Sequence, residues 1–383
     1  MRRLLILAAL LTVAAAPVPS PQPSQTLMNA RVFDSVWTLV ARNYWDPKLR
    51  GVDWRAALTT YRPQALAAHD NRTLYEVIGR MLDKIGDSHV YVDNPMPASA
   101  TATAGADASV GIVSVIEDGA WRVLSVDASS PAAKAGVLEG WQLLSVDGRI
   151  PERDDPPPLA GQIQKLAFLD GTGVRHDLAL QAERLAPYRP VAVRRLAGNV
   201  LLLRIDGFYP GVDRWVFRQL ASAPAPRGVI LDLRENGGGD AAVTARVAGA
   251  FYAKPRLMLV RTGRDAGRDE VLAAGNRAYA GPLVVLVGRR SASAAEVLAA
   301  LIGSSGRGTT VGERTAGELT GAEHYRLPDG GQLSVATSDV RMPNGLRIEG
   351  VGYLPEITVP WPVAGRRAGI DPQLQRALAT LSS

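Results

Sequence analysis

The chain of 383 residues contains no cysteine, which excludes disulfides, thiol nucleophiles and cysteine-based metal sites. Only four histidines are present. Beyond residue 16, no apolar run is long enough to cross a membrane. The 43 basic and 37 acidic residues are scattered along the chain, so the net charge of +6 does not indicate a nucleic-acid partner.

The N-terminus has the pattern of a secretory signal peptide. Arg2 and Arg3 precede an apolar run, Leu4–Leu11, and Ala14-Ala15-Ala16 offers small residues for cleavage. We predict a signal peptide over residues 1–16 and export to the periplasm or the extracellular space. Loss of the two arginines leaves a net charge of +4. Residues 17–27 are rich in Pro and Ser, which predicts a disordered tether.

The length exceeds what one hydrophobic core usually serves, so several domains are expected. Residues 28–93 carry apolar side chains at helical spacing, and residues 94–108 have the Ala, Thr, Pro and Gly of a linker. Residues 109–185 contain several short strand patterns. Residues 190–383 alternate between strand and helix patterns, which indicates an α/β layer. No metal and no organic cofactor is implied.

A turn of small residues, Ser291-Ala292-Ser293, joins a predicted buried strand, Leu283–Val287, to a predicted helix, Ala294–Ile302. A hydroxyl on such a turn is exposed, and the first amides of the helix point toward it and can stabilise an oxyanion. Ser293 is therefore a candidate nucleophile. It also precedes Glu296 by three residues, the spacing of a helix capping box, so a structural cap is the alternative.

Two further turns hold polar candidates. Gly237 to Gly239 follow a predicted strand, and such glycines leave backbone amides free to bind an anion. This turn lacks the Lys-Ser/Thr of a P-loop and the spacing of a dinucleotide fingerprint, so we reject both. His89 follows Ser88 where a helical pattern gives way to a strand, and a lone histidine there is more often structural than catalytic.

The order of residues in SPAAKAGVLEGWQLLSVDG resembles PDZ domains, over about Ser109 to Arg184. The resemblance implies that a peptide adds as a strand beside Val110, Gly111, Ile112 and Val113, with its carboxylate held by backbone amides. A small β-domain without a ligand is the alternative. An insertion rich in Pro and Asp, Pro151 to Pro158, departs from the minimal PDZ pattern.

Five ordered blocks together resemble the C-terminal-processing and tricorn-type serine peptidases: GDSHVYV, the PDZ-like segment, GVILDLRENGGGD, the segment from Leu283 to Gly317, and RIEGVGYLPEITV. The resemblance implies an α/β catalytic domain of crotonase/ClpP-like fold with an inserted PDZ-like domain and an N-terminal helical region. It assigns the nucleophile to Ser293. Its oxyanion hole would use the amides of Ala294 and of a glycine such as Gly238 or Gly239.

The chain departs from the processing branch of this family at its general base. That branch places a lysine 25 residues beyond the serine, and here this position is Glu318. The lysines of this chain are Lys48, Lys84, Lys134, Lys165 and Lys254, so none follows Ser293. A downstream Ser/Lys dyad is therefore impossible.

The tricorn branch uses an upstream Ser-His pair instead, which Ser88-His89 resembles. A carboxylate then orients the imidazole or the neighbouring hydroxyl. The resemblance assigns this carboxylate to Glu349, with Glu318 as its rival. The sequence thus predicts an exported serine endopeptidase with a Ser/His/Glu site and peptide or protein substrates.

Two other hypotheses stay open at this point. A catalytically inactive relative would bind peptides or apolar ligands as a scaffold, and it would place His89 far from Ser293. A third hypothesis uses Lys84 as the base, although a charged residue in a helix is usually solvated.

Overall fold

The computed structural model describes residues 23–95, 108–117, 119–127, 129–151, 155, 157–185, 190–265, 267–273, 275, 279–360 and 371–382. The predicted signal peptide, residues 17–22 of the predicted tether and nearly all of the predicted linker lie outside these residues, as does part of the Pro- and Asp-rich insertion. None of the helices among the described residues is both long and apolar enough to span a membrane.

The N-terminal region consists of three helices and a short strand: α1 (Pro23–Asn43), α2 (Trp54–Leu66), α3 (Asn71–Leu82) and β1 (Tyr91–Asp93). The helix α1 begins within the predicted tether, because Pro23 has the fixed φ angle that suits the first turn of a helix. Asp53 and Asp70 precede α2 and α3 as N-caps, and their side chains accept hydrogen bonds from backbone amides of the first turn.

This region does not form a core of its own. In α3, Leu74, Val77, Ile78 and Met81 are buried at the predicted helical spacing. They share a hydrophobic cluster with residues of a strand near the C-terminus, among them Leu333. The strand β1 also pairs with that strand, so residues 28–93 and the C-terminal part of the chain form one packed unit.

Residues 108–185 form a separate β unit with its own hydrophobic cluster. Its elements are β2 (Ala108–Ser109), β3 (Ile112–Glu117), β4 (Ala120–Val126), α4 (Pro131–Lys134), β5 (Gln142–Val146), β6 (Ile163–Leu169), β7 (Arg175–Gln181) and β8 (Glu183–Arg184). The five strands β3 to β7 lie in sequence order in one antiparallel sheet, which leaves β3 at an edge.

The remaining elements build the α/β part of the chain. They are β9 (Val191–Leu196), β10 (Val200–Ile205), α5 (Val212–Leu220), β11 (Gly228–Asp232), α6 (Ala241–Gly249), β12 (Arg256–Gly263), β13 (Arg268–Ala273), β14 (Leu283–Val287), α7 (Ala294–Ser304), β15 (Thr309–Gly312), β16 (Thr320–Arg326), β17 (Gln332–Arg341), β18 (Ile357–Thr358) and α8 (Pro372–Ser382). The strand predicted from Leu283 is found with the predicted bounds.

Six strands form the central sheet in the order β18-β15-β14-β11-β10-β9, parallel except for β9. The strands β11 and β14 are buried along their whole length, as expected of strands covered on both faces. One face packs against α6 and α7, and the other packs against α8. The strands β1, β12, β13, β16 and β17 form a second sheet.

A buried ion-pair network fastens α8 to the end of β11. The guanidinium of Arg234 binds Asp232, at 2.7 Å, and Asp371, at 2.8 Å. Burial alone would lower the pKa of Arg234, but the two carboxylates outweigh it and raise that pKa above its usual range. Asp371 also accepts a hydrogen bond from the amide of Leu374, which caps α8.

We expect Asp371→Ala to lower the free energy of unfolding by about 2–4 kcal/mol, because it removes a helix cap and leaves a buried guanidinium with one carboxylate fewer. Chemical denaturation measures the change. The matched control is Asp269→Ala, which removes an exposed partner of Arg261 and should cost less than about 1 kcal/mol. Equal losses in the two variants would contradict this account of α8.

Candidate active site

The turn between β14 and α7 holds Ser293 in a conformation that side chains rarely adopt. Its φ angle is 53° and its ψ angle is −120°. Such a backbone costs about 1–3 kcal/mol and persists only where the surroundings enforce it. Ser293 and Glu296 form the capping box that their spacing predicts, and the Glu296 carboxylate accepts the Ser293 amide at 3.0 Å. The Glu296 amide also bonds to the Ser293 carbonyl oxygen at 2.9 Å, so the cap does not depend on the hydroxyl alone.

The surroundings that enforce this turn meet at the buried carboxylate of Glu296. Its Oε2 accepts the amides of Ser293 and Glu318, each at 3.0 Å. Its Oε1 accepts the Thr315 hydroxyl and the Gly317 amide. Burial raises the pKa of Glu296, and the four donors oppose that shift by stabilising the charge. The sequence suggested only a capping role, because the other partners follow far along the chain.

The glycine turn lies directly against Ser293. A Cβ atom on Gly238 would stand 2.7 Å from the Cβ of Ser293 and 3.2 Å from its Oγ. A Cβ on Gly239 would stand 2.6 Å from the carbonyl oxygen of Phe208. Both glycines also have φ angles above 100°. Only glycine therefore allows this turn to approach the serine so closely.

The amides near Ser293 differ in their availability. The Gly238 amide, which we predicted as an oxyanion donor, already donates to Asn236 Oδ1 at 2.8 Å. Gly239 forms a parallel bridge with Phe208, in which the residues on either side of Gly239 make the hydrogen bonds. The N–H of Gly239 itself therefore faces away from Phe208. Within the described parts of the chain, the amides of Gly239 and Ala294 have no hydrogen-bond partner. Both are therefore available as anion donors.

Ser88, His89 and Glu349 form one hydrogen-bonded chain. The Ser88 Oγ lies 2.8 Å from His89 Nδ1 and donates to Glu349 Oε2 at 3.0 Å. The Ser88 amide also donates to Glu349, at 3.2 Å, and the Leu319 amide does so at 2.6 Å. Glu349 is only 5% exposed, so its charge is held by these three donors.

This chain selects one tautomer of His89. An ionised carboxylate can only accept hydrogen bonds, so the single proton of the Ser88 hydroxyl points to Glu349. The Ser88 oxygen must then accept a hydrogen bond from the N–H at His89 Nδ1. The lone pair of the neutral ring consequently lies on Nε2, which is the nitrogen available to act as a base.

The segment Gly317–Thr320 lies between the serine and the histidine. On one side the Ser293 amide donates to the Glu318 carbonyl oxygen at 2.9 Å. On the other side the Leu319 amide donates to Glu349, which binds Ser88. His89 is thus connected to Ser293 through one strand of backbone. Between the two residues themselves the structure contains no direct hydrogen bond.

Asp87 is a site residue that our sequence analysis missed. Its carboxylate is 8% exposed and accepts the His89 amide, at 3.1 Å, and the Tyr44 hydroxyl, at 2.9 Å. The Thr320 hydroxyl is a third donor. Burial and the neighbouring Asp87 raise the pKa of Tyr44, so the phenol keeps its proton and donates. The only signal for Asp87 in the sequence was its position next to Ser88.

The rival candidates occupy other surroundings. Glu318 is exposed, and its side chain makes no contact with Ser88 or His89 among the described residues. Lys84 is exposed in the turn after α3, not within the helix as we expected. The carboxylate next to Ser88 is Glu349. The described residues contain no group of His, Asp and Glu that could hold a metal ion.

The predicted peptide-binding residues of the β unit are only partly accessible. The Val110 carbonyl oxygen accepts the amide of Ala132, and both backbone polar groups of Gly111 are bonded within the unit. Ile112 and Val113 begin the edge strand β3, and Val113 is 49% exposed. Strand addition is therefore restricted to Ile112 and the residues after it.

Two family models match parts of this chain, and several known proteins are similar to it. Residues 199–359 match the model of peptidase family S41, and residues 29–83 match the C1 domain of tricorn protease. The chain is 29% identical to tricorn protease homolog 1 of Streptomyces coelicolor over 91% of its length, but it spans only 34% of that protein. It is 28% identical to the chloroplastic C-terminal processing peptidase of Tetradesmus obliquus, covering 88% of this chain and 78% of the relative.

Solved structures give the same assignment. A photosystem II D1 C-terminal processing protease superposes with a TM-score of 0.64 at 25% identity, covering 93% of this chain and 97% of that one. The tricorn protease crystal structure shares the fold, with a TM-score of 0.60 at 17% identity over 93% of this chain and 37% of that one. The chain thus carries a peptidase family S41 domain and a match to the tricorn protease C1 domain, which supports the serine-type peptidase that the sequence motifs indicated.

The contact between Gly238 and Ser293 makes a prediction about substitution. Gly238→Ala would force its Cβ against Ser293 and strain a φ angle of 108°. We expect labelling of Ser293 by a fluorophosphonate to slow by about 10²-fold, the usual cost of displacing a reacting group by about 1 Å.

Gly237→Ala is the matched control, because no atom lies within 4 Å of the Cβ it would add. It should label within about threefold of the wild type if the protein is folded by circular dichroism. Normal labelling of Gly238→Ala would contradict the close approach of the two turns.

Proposed function

We propose that the protein is an exported serine endopeptidase in which Ser293 is the nucleophile and His89 the general base. The observation that carries this proposal is the hydrogen-bonded chain from His89 through Ser88 to Glu349. It leaves Nε2 of the imidazole free to accept a proton. The strained φ angle of Ser293 is also typical of groups held for reaction.

We propose the following reaction for these residues. The Ser293 oxygen attacks the scissile carbonyl carbon while its proton passes to His89 Nε2. The amides of Ala294 and Gly239 bind the oxyanion of the tetrahedral intermediate. As the intermediate collapses, His89 returns the proton to the leaving amine and an acyl-enzyme remains. A water molecule, deprotonated by the same nitrogen, then releases the acid.

Ser88 and Glu349 act through His89 and do not touch the substrate. The Ser88 oxygen accepts a hydrogen bond from the Nδ1–H of His89 throughout, and Glu349 accepts a hydrogen bond from the Ser88 hydroxyl. The carboxylate therefore stabilises the imidazolium that forms in each transition state. This arrangement provides a base without any lysine after Ser293.

We also propose that the catalytic part has a crotonase/ClpP-like fold and that the β unit is a PDZ-like domain that presents substrates. The exposed edge of β3 supports strand addition, since Ile112 and Val113 lie at the end of the sheet. Export rests on the N-terminal sequence pattern alone.

The test is intact-mass analysis of the protein after treatment with a fluorophosphonate, at pH values from 5 to 10. We expect one adduct on the wild type and none on Ser293→Ala. His89→Ala should slow labelling by about 10²–10⁴-fold, the range for loss of a general base. The wild-type rate should not depend on the deprotonation of a lysine, so its main rise should not lie above about pH 9.

Two outcomes would contradict the proposal. A folded wild type that forms no adduct would favour a scaffold that binds peptides without cleaving them. A rate that rises mainly above about pH 9, and that falls in Lys84→Ala, would assign the base to lysine instead.

A further inference from the structure

One carboxylate next to Ser293 has no part in the proposed chemistry. The Glu318 backbone is fixed at both polar groups, since its amide donates to Glu296 and its carbonyl oxygen accepts the Ser293 amide. Its side chain is exposed. Among the described residues it has neither a hydrogen-bond partner nor an ion-pair partner within 4 Å. The backbone that carries this uncompensated charge is thus fixed, one hydrogen bond from the backbone of Ser293.

The neighbouring residue indicates which side of the segment this charge occupies. Leu319 is 3% exposed and belongs to the main hydrophobic cluster, so its side chain points into the core. The Glu318 side chain is exposed instead, next to the partly exposed Ser293 and His89, so all three can meet one bound substrate.

We propose that Glu318 determines specificity by selecting peptides with a lysine or arginine within two positions of the scissile bond. This inference rests on the proposed function. A bound peptide would shield the Glu318 carboxylate from water, which strengthens its attraction for a cationic side chain. A carboxylate at the same subsite of the substrate would be repelled. The fixed backbone of Glu318 keeps this charge close to Ser293 in every complex.

The experiment measures cleavage of internally quenched peptides by the full chain. Each of the four positions around the scissile bond holds Lys, Gln or Glu in turn, and mass spectrometry identifies the bond cleaved. We expect the wild type to prefer Lys to Gln at one position by about tenfold in kcat/KM. This ratio corresponds to a free energy between that of an exposed ion pair and that of a charge-assisted hydrogen bond.

Three substitutions and one control test the assignment. Glu318→Gln should abolish the preference, Glu318→Asp should retain part of it, and Glu318→Arg should favour Glu. Arginine is used because it keeps its proton and cannot supply a new base. Glu323→Gln is the matched control: Glu323 is exposed on β16, and five residues of extended chain place it about 16 Å away. Its selectivity should equal that of the wild type.

The outcomes separate this inference from the proposed function. An unchanged Lys/Gln ratio in Glu318→Gln would overturn the inference while the peptidase assignment stands. An equal change for all peptides, with a shifted pH profile, would mean that Glu318 acts on His89, which also overturns it. If no peptide is cleaved in a Ser293-dependent manner, the proposed function fails and the inference fails with it.

Discussion

Two buried carboxylates hold the segment Gly317–Thr320 from opposite sides. The geometry of the whole site depends on these two carboxylates. Glu296 accepts the amides of Gly317 and Glu318 together with that of Ser293. Glu349 accepts the amide of Leu319 and both donors of Ser88. A buried carboxylate is stable only with such donors. A movement of Ser293 or of Ser88 away from this segment would therefore leave a buried charge with too few donors. The segment thus fixes where Ser293 and His89 stand relative to each other.

The N-terminal helical region is also part of the site, because hydrogen bonds from it hold the residues around His89. Tyr44 follows α1 and binds Asp87, whose carboxylate holds the amide of His89. The strand β1, just after His89, pairs with β17, and the Ser334 hydroxyl of β17 donates to the His89 carbonyl oxygen at 2.8 Å. The turn that carries the imidazole is therefore fastened on one side to a helix and on the other to a sheet. These contacts hold the His89 turn in place.

Local patterns in the sequence predicted the elements that carry the serine well. The strand from Leu283 to Val287 has the predicted bounds, and α7 begins at the predicted Ala294. Family resemblance brought Ser88, His89 and Glu349 into consideration, and the structure holds the three together. Their separation in the chain leaves no periodic signal, so composition and spacing alone could not have joined them.

What the sequence could not reveal is which partner each polar group would choose. Glu296 was interpreted through its nearest neighbours, although two of its donors lie more than twenty residues away. Gly238 was expected to offer its amide, yet the buried side chain of Asn236 already accepts it. Such choices are set by tertiary packing, and a one-residue difference in the turn would change them.

Ser88 links Glu349 to His89 by hydrogen bonds and thereby fixes the imidazole tautomer. The most direct test is ¹⁵N nuclear magnetic resonance of the protein labelled at the histidine rings, at a pH where His89 is neutral. The account predicts a protonated Nδ1 and an unprotonated Nε2 for His89, and a mixture of tautomers in Ser88→Ala. A proton on Nε2 in the wild type would contradict it, because that nitrogen could not then accept the proton of Ser293.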